Sequence, residues 1–278
     1  MAHAAAAIVT RRLEASRGWD LRGLAELWTY RELLYFLVWR DVKVRYKQTV
    51  LGIGWAVIQP VMAMGVFTIF FGRLARVPSD GLPYPVFSLA GLVPWTYFAA
   101  GVTSGASSLA SYQHIISKVY FPRLLIPLAA VLTPLIDFGV AFVVLLAVDA
   151  WYGVVPGGTI VWLPALLLLA VATAVAASVW LSALSVRYRD VRYVVPFAVQ
   201  LWLFATPVAY PASLVPAKWR ALYGLNPMTG VIEVFRWSLV GGPSPQTITP
   251  LSVSIVAAVL VTGLVYFRSA ERTFVDVL

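Results

Sequence analysis

Residues 124–148 read LLIPLAAVLTPLIDFGVAFVVLLAV, 25 residues with a single charged side chain, Asp137. A helix needs ~20 consecutive apolar residues to cross the hydrocarbon core of a bilayer, so this stretch predicts a transmembrane helix. Segments of the same kind recur along the chain at 51–72, 86–110, 160–184, 194–210 and 248–267. The predicted fold class is therefore an all-α integral membrane protein with six transmembrane helices.

The composition is typical of a chain that faces lipid rather than water. Of the 278 residues, 60% are hydrophobic and 12% are charged, and the mean hydropathy is +0.83. Soluble domains carry about twice that charged share. The absence of cysteine excludes disulfides and thiolate metal sites, and the two histidines, His3 and His114, are far apart in sequence. We therefore expect no metal and no cofactor in this chain.

Lysine and arginine are distributed unequally between the two sides of the predicted helices. Of the 21 residues, 16 lie before the first predicted helix, after the second, after the fourth or in the tail, and five lie on the other side. Because cytoplasmic loops are enriched in Lys and Arg, this asymmetry predicts a protein of the cytoplasmic (inner) membrane with both termini in the cytoplasm. It also accounts for the net charge of +9 without a nucleic acid partner.

Two segments are neither membrane-spanning nor ordinary loops. In 21–50, apolar residues at helical spacing predict an amphipathic helix in the membrane interface. The alternating stretch 41–47 resembles a strand, but a lone strand beside a bilayer has no pairing partner, so we expect helical or irregular structure. In 211–242, two short apolar pieces flank the turn signal Asn226-Pro227 and predict two re-entrant or interfacial helices on the external face. The predicted domains are a flexible N-terminus (1–20), an interface segment (21–50), a six-helix domain (51–268) and a cytoplasmic tail (269–278).

Few residues could carry chemistry. The sequence has no G-x-x-x-x-G-K-[ST] phosphate loop, which excludes ATP hydrolysis by that route, and we expect no enzyme activity in this chain. Asp137 lies within a predicted span, where an ionisable residue is a functional candidate, although a hydrogen bond to Thr133 would also explain it. Glu233 and Arg236, three residues apart on one predicted helix, form either a surface ion pair or a charged lip on an external gate.

Three further groups each allow two interpretations. Segment 111–122 carries an apolar helix face that either binds a partner or lies on the membrane surface. Basic residues beside the first and fourth spans either anchor the topology or attract lipid phosphate. They are Arg40, Lys43, Arg45, Lys47, Arg187, Arg189 and Arg192. Deep aromatic residues either pack against lipid or offer stacking faces to sugars. They are Trp55, Trp95, Tyr97, Phe98, Trp202 and Phe204.

Six short motifs occur in an order that resembles one family of transporters. They are WAVIQP (55–60), GLVPW (91–95), KVYFPR (118–123), YRDV (188–191), TPVAYP (206–211) and LNPM (225–228), followed by Glu233 and Arg236. The ordered set resembles the permease subunits of ABC-2-type exporters for polysaccharides, which include O-antigen, teichoic acid and other lipid-linked glycan exporters. One departure is Leu124, where many members have an acidic residue.

The resemblance implies a homodimer with a translocation path between the copies, and a separate ATPase subunit in two copies that binds ATP and Mg. The implied substrate is a polysaccharide on a polyprenyl diphosphate lipid, attracted by the basic residues above and guided by the aromatic ones. The residues implied to couple to the ATPase are Gln113, His114, Ile115, Ile116, Lys118, Val119, Tyr120 and Phe121. The implied external gate consists of Asn226, Pro227, Glu233 and Arg236.

Other functions stay open at this point. One is an ABC-2 permease for a drug or for a lipid without a long glycan. Another, from a different class, is a membrane-embedded enzyme that acts on lipid-linked glycans. Such an enzyme needs a convergent acid, base or metal cluster, which a lone Asp137 and two remote histidines do not supply. A membrane scaffold would leave segment 111–122 and the paired external helices unexplained.

Overall fold

The residues described by the computed structural model are mostly helical. They are 22–47, 49, 51–116, 118, 120–241, 248–271 and 274. The predicted N-terminal segment 1–20 and most of the predicted tail 269–278 lie outside them. The α-helices among these residues are α1 (Arg22–Thr29), α2 (Arg31–Lys47), α3 (Gly54–Phe67), α4 (Tyr84–Ser111), α5 (Gln113–Ile116), α6 (Leu125–Leu132), α7 (Leu135–Trp151), α8 (Leu163–Arg187), α9 (Val191–Phe204), α10 (Ala217–Gly224), α11 (Pro227–Val240) and α12 (Ile248–Glu271).

Five helical stretches of the described chain are long and apolar enough to cross a membrane. They are Gly54–Leu74, Tyr84–Ser111, Leu125–Trp151, Gly158–Arg187 and Ile248–Glu271. In the first, α3 continues as a π-helix, and in the third, α6 and α7 are separated at Pro134, which has no backbone N–H to continue the helix. These stretches match five of the predicted transmembrane helices, so the all-α, multi-pass membrane architecture is confirmed.

The central helix, α4, packs most closely against α8. Gly101 and Gly105 of α4 face Ala174 and Ser178 of α8, and a Cβ at Gly105 would come within 2.5 Å of the Ser178 side chain. The Ser178 hydroxyl donates to the Gly101 carbonyl at 3.2 Å. Small residues four positions apart allow membrane helices to bring their backbones together. The order of the paired residues shows that α4 and α8 run parallel.

The bundle has two ends, which differ in charge. At one of them α4, α8 and α12 terminate, and Leu109, Val186 and Phe267 share one buried cluster. We call this the basic end, because the exposed arginines of 187–192 follow directly from α8 there. Leu27 of α1 packs on the same cluster, so the first and last described helices meet at the basic end.

The predicted fifth transmembrane helix is shorter than expected. Helix α9 has 14 residues, or about 21 Å, against a hydrocarbon core of about 30 Å. The chain nevertheless passes from the basic end to the opposite end, because the carbonyl of Ala209 accepts a hydrogen bond from Tyr84 at the start of α4, at 2.6 Å. Pro207 cannot continue a helix, so the prediction of helix over 194–210 is wrong beyond Phe204.

The predicted N-terminal amphipathic segment is helical. Helix α2 extends to Lys47, so the alternating stretch 41–47 is not a strand. It packs along α6, with Leu37 and Val42 buried. Leu37 belongs to the buried cluster that also holds Ile116, which places α2 against the segment that follows α4.

The two short helices predicted before the last span are present as α10 and α11. They are separated at Asn226, as the turn signal predicts. Helix α10 is mostly exposed, whereas α11 is mostly buried. The ring of Phe235 lies 6.1 Å from that of Phe138 in α7, so α11 inserts among the long helices.

Candidate functional site

The segment after α4 presents several side chains at the surface of the basic end. Five of the residues predicted to couple to an ATPase are exposed: Gln113, His114, Ile115, Lys118 and Tyr120. Ile116 and Phe121 are buried in the cluster shared with α2, α6 and α12, at 8% and 5% exposure. These two therefore attach the segment to the bundle, while the exposed five form its outer face. Val119 lies outside the described residues.

Most of the residues predicted to attract lipid phosphate are exposed. They are Arg40, Lys43, Lys47, Arg187, Arg189 and Arg192. Arg40 is held by Asp41, with its Nη2 3.0 Å from the Asp41 Oδ1. Arg45 is half-buried and has a carboxylate partner within the chain. In the contacts described, the exposed arginines of 187–192 have no carboxylate partner. The Arg187 guanidinium carbon lies 5.5 Å from the centre of the Tyr188 ring.

The partner of Arg45 is Asp137, an ionisable residue in the middle of the third span. Arg45 Nη1 and the Tyr46 hydroxyl both donate to the Asp137 carboxylate. Thr133, the partner considered from the sequence, instead donates to the carbonyl of Ala129 at 2.9 Å. Burial, and then the hydrogen bond to Asp137, raise the pKa of Tyr46 to about 12, so the phenol keeps the proton that it donates. Asp137 is therefore an attachment point for the end of α2.

The predicted path aromatics divide into two sets. Trp95, Tyr97 and Phe98 are buried in the core of the chain. Trp55 and Phe204 are exposed, and Trp202 is partly exposed. Trp202 lies between the two sets. Its ring is 5.3 Å from that of Phe98 in the core, and it also borders a cavity of about 410 Å³. The other residues that line this cavity are Ala205, Val215, Trp219, Leu222, Tyr223 and Asn226. The exposed set is therefore open to lipid or to another molecule.

Arg236 joins three segments at the opposite end of the bundle. Its side chain is nearly buried, and Nη1 lies 3.3 Å from Glu233 Oε1. Nε donates to the Phe87 carbonyl at 3.3 Å and Nη2 to the Val208 carbonyl at 2.8 Å, while the guanidinium carbon lies 3.7 Å from the centre of the Phe87 ring. Gly91 leaves room for it, since a Cβ there would lie 2.5 Å from Nη2. The pair of charges predicted from the sequence is present, but it is not an ordinary surface ion pair.

The burial of this pair shifts both of its groups toward their neutral forms. Burial raises the pKa of Glu233, and the charge of Arg236 opposes that shift. Burial lowers the pKa of Arg236 to about 10, and the charge of Glu233 opposes that shift. Arg236 therefore stays charged at neutral pH and keeps its hydrogen bonds to the two carbonyls.

Asn226 and Pro227 determine where α11 begins. The Asn226 Oδ1 accepts from the Met228 backbone N–H at 3.1 Å, which caps the helix. The Asn226 Nδ2 donates to the Ala205 carbonyl at 3.1 Å and to the Thr206 hydroxyl at 2.9 Å. Pro227 occupies the first turn, where its missing N–H removes no intrahelical bond. Asn226 thus joins the start of α11 to the end of α9.

Side chains satisfy the backbone carbonyls at the end of α9 and beyond it. Irregular backbone at membrane depth is tolerated where its polar groups find partners within the protein. Five carbonyls from 202 to 209 have such partners: Trp202 with Thr206, Phe204 with Tyr210, Ala205 with Asn226, Val208 with Arg236, and Ala209 with Tyr84. We call this stretch with its partners the carbonyl seam.

The sequence model of the family described as ABC-2 type transporter matches residues 32–240, most of the chain. The chain belongs to the ABC-2 type transporter family. The ABC-2 match begins in α2 and ends with α11. It therefore contains the outer face after α4, the attachment at Asp137 and the carbonyl seam.

Three relatives are similar to this chain over most of their length. The O-antigen export system permease protein RfbA of Myxococcus xanthus is 30% identical over 260 residues, which cover 92% of this chain and 99% of the relative. A protein of the same name from Klebsiella pneumoniae is 28% identical and covers 89% and 95%. The polysialic acid transport protein KpsM of Escherichia coli is 21% identical and covers 84% and 91%.

Some residues that hold α2 and the carbonyl seam in place were not identified from the sequence. They are Asp41, Tyr84, Tyr112, Thr206 and Tyr210. Each has a polar group beside an apolar segment, which is the signal that could have found it. Their partners, however, are mostly distant in sequence, and hydroxyl groups at span ends also bind water and lipid headgroups.

Asp149 was also missed, because the sequence placed it just beyond the third span. It lies in α7 at 1% exposure, and neither carboxylate oxygen has a hydrogen-bond partner among the described residues. The residues on the same face of α7 are buried as well, namely Phe138, Ala141 and Leu145. Nearly every residue of α7 is apolar, so the sequence does not distinguish this buried face from the others.

Proposed function

We propose that this chain is the permease subunit of an ATP-driven exporter that moves a polysaccharide, linked to polyprenyl diphosphate, from the cytoplasm across the inner membrane. The observation that carries the proposal is the likeness to a protein named as an O-antigen export permease, which covers 92% of this chain and 99% of the relative. Such coverage extends beyond a shared pattern of apolar helices to the segments that connect them.

The basic end faces the cytoplasm in this proposal, because cytoplasmic loops are enriched in Lys and Arg. Both ends of the chain then lie in the cytoplasm. The sequence has no phosphate loop, so a separate ATPase subunit in two copies binds ATP and Mg. The exposed face after α4, which includes Ile115 and Tyr120, supplies a surface on which that subunit docks.

A second copy of the chain completes the path. The outer faces of α3 and α9 are apolar and exposed, with Met62 on the first and Phe197 and Leu201 on the second. A large exposed apolar surface at membrane depth is covered by lipid or by another protein chain. We assign part of this surface to a homodimer, with Trp55, Trp202 and Phe204 beside the path between the copies.

Charge and aromatic rings then act on different parts of the substrate. The exposed arginines of 187–192 attract the diphosphate of the lipid at the cytoplasmic side. The aromatic faces of Trp202 and Phe204 toward the opposite end, and of Trp55 nearer the basic end, stack against sugar rings as the polymer passes. Closure of the ATPase pair on ATP moves the docked segments, and the energy enters through contacts that differ between the two states. The paired helices α10 and α11 form the external gate.

Reconstitution with the ATPase subunit tests the proposal. Both proteins are placed in inside-out vesicles with a fluorescent polyprenyl-diphosphate-linked glycan on the outer surface. ATP-dependent protection of the glycan from an added glycosidase is expected, and it should vanish with an ATPase variant that cannot hydrolyse ATP. Movement of a glycan-free lipid but not of the glycan would instead indicate a lipid permease. Modification of the glycan by the purified chain alone would indicate an enzyme.

A further inference from the structure

Helix α2 is attached at two points to parts of the chain that are far apart in the bundle. At the first, Tyr112 donates its hydroxyl proton to Asp41 Oδ2 at 2.6 Å. The Arg40 guanidinium carbon lies 4.2 Å from the centre of the same Tyr112 ring. Tyr112 directly precedes α5, so this contact joins α2 to the segment assigned to ATPase docking. Burial, and then the Asp41 hydrogen bond, raise the pKa of Tyr112, which keeps the donated proton in place.

At the second point, Arg45 and Tyr46 both donate to Asp137. Asp137 lies in the first turn of α7, directly beyond the interruption at Pro134. The next residue, Phe138, has its ring 5.7 Å from that of Tyr97, near the middle of α4. Asp137 therefore lies deep in the bundle, whereas Tyr112 lies at its basic end.

The two attachments are close together on α2 itself. Asp41 and Arg45 are four residues apart, which places them on one face of a helix with about 6 Å of rise between them. One helical turn with its internal hydrogen bonds is too short to bend, so a displacement at Tyr112 is transmitted to Asp137. The third span can bend at the interruption between α6 and α7 in response to this displacement.

From these contacts we infer that α2 is a mechanical link between the docking segment and the third span, and that Asp137 is the positioning residue that holds the far end of this link. The inference rests on the proposed function, since it concerns how the ATPase drives the path. The Arg45 and Asp137 side chains are 35% and 33% exposed, so the pair lies at the margin of the bundle and not within its packed core. A contact that forms in one state and opens in another is the kind that can bias two conformations.

The test measures glycan exported per ATP hydrolysed, with the full chain and its ATPase subunit in vesicles. The Asp137→Asn variant removes the charge and keeps the shape of the side chain. We expect this ratio to fall about tenfold while the partner subunit continues to hydrolyse ATP, since the nucleotide site is in another chain. The matched control is Glu32→Gln, which also neutralises a carboxylate but at an exposed position of α2 away from both attachments, and which should keep the ratio of the unchanged protein.

Two further variants separate a link from a local structural role. Tyr112→Phe removes only the hydroxyl at the other attachment and should lower the ratio in the same way. Combined with Asp137→Asn it should add little, because either change interrupts the same link. The charge swap Arg45→Asp with Asp137→Arg should restore most of the ratio that Asp137→Asn loses, since it re-forms the pair.

Each outcome of these measurements either supports the link or contradicts it. An unchanged ratio in Asp137→Asn, or fully additive losses with Tyr112→Phe, would overturn the link. If Asp137→Asn does not fold, Tyr112→Phe and the charge swap still decide the matter through the same ratio. If the unchanged complex hydrolyses ATP and exports no glycan, the proposed function is wrong, whatever the variants do.

Discussion

The burial of Arg236 allows a quantitative prediction about the proposed external gate. In Arg236→Gln the guanidinium is lost, which leaves Glu233 without its cation and removes the donors to the carbonyls of Phe87 and Val208. Removal of one partner from a buried ion pair costs about 3–5 kcal/mol. Because the Glu233 side chain keeps 21% exposure, water stabilises part of its charge. We therefore expect the free energy of unfolding to fall by about 3 kcal/mol.

This loss converts into a measurable change in Tm. For a chain of this size, 1 kcal/mol corresponds to about 2–4 °C, so Arg236→Gln should lower Tm by about 6–12 °C. The measurement is thermal unfolding of the purified protein in one detergent, followed by tryptophan fluorescence at one scan rate. A fixed scan rate matters because unfolding of membrane proteins is often irreversible.

Arg220→Gln provides the matched control. Arg220 is an exposed arginine at the same end, and it donates to the carbonyls of Val215 at 3.1 Å and Ser213 at 3.4 Å. Hydrogen bonds of this kind contribute about 1 kcal/mol or less when water can replace them. The two variants make the same substitution and differ in burial. If both lower Tm by the same amount, burial of Arg236 is not what stabilises the gate.

Three further predictions concern packing, capping and docking. Gly105→Leu should abolish the monodisperse peak in size-exclusion chromatography because it meets Ser178, whereas Gly139→Leu, which faces open space, should keep it. Asn226→Ala should lower thermal stability by about 1 kcal/mol through loss of the α11 cap, and an unchanged Tm would contradict that role. Tyr120→Asp should weaken co-purification with the ATPase subunit about tenfold, as expected of an exposed aromatic contact, without changing Tm. Undiminished capture would remove Tyr120 from the docking surface.

The long transmembrane helices could be predicted because the bilayer fixes their length. Helices α4, α8 and α12 lie close to the predicted spans 86–110, 160–184 and 248–267. The end of α9 could not be predicted in the same way. A proline near a span end either kinks the helix or terminates it, and the outcome here depends on Tyr84 and Arg236, whose positions in space the sequence does not show.

The candidate sites were predictable as residue types but not as contacts. Asp137 stood out because a charge within a span needs a partner, and Thr133 was the one visible locally. The partner in the structure, Arg45, lies 92 residues away. Likewise, helical spacing in 111–122 showed an apolar face, but not that the bundle itself covers Ile116. Interactions between distant segments depend on how the helices pack, which local patterns do not encode.

The close approach of α4 and α8 limits which parts of this protein can change shape. Where Gly105 meets Ser178, the two helices approach so closely that even a methyl group would not fit between them. We expect these two helices to move together. We expect the larger movements elsewhere, at the interruption between α6 and α7 and in α3 and α9, whose outer faces are exposed. Spin labels at Met62 and Phe197 would register a transport cycle as a change in separation, while a pair placed across α4 and α8 would stay at one distance throughout.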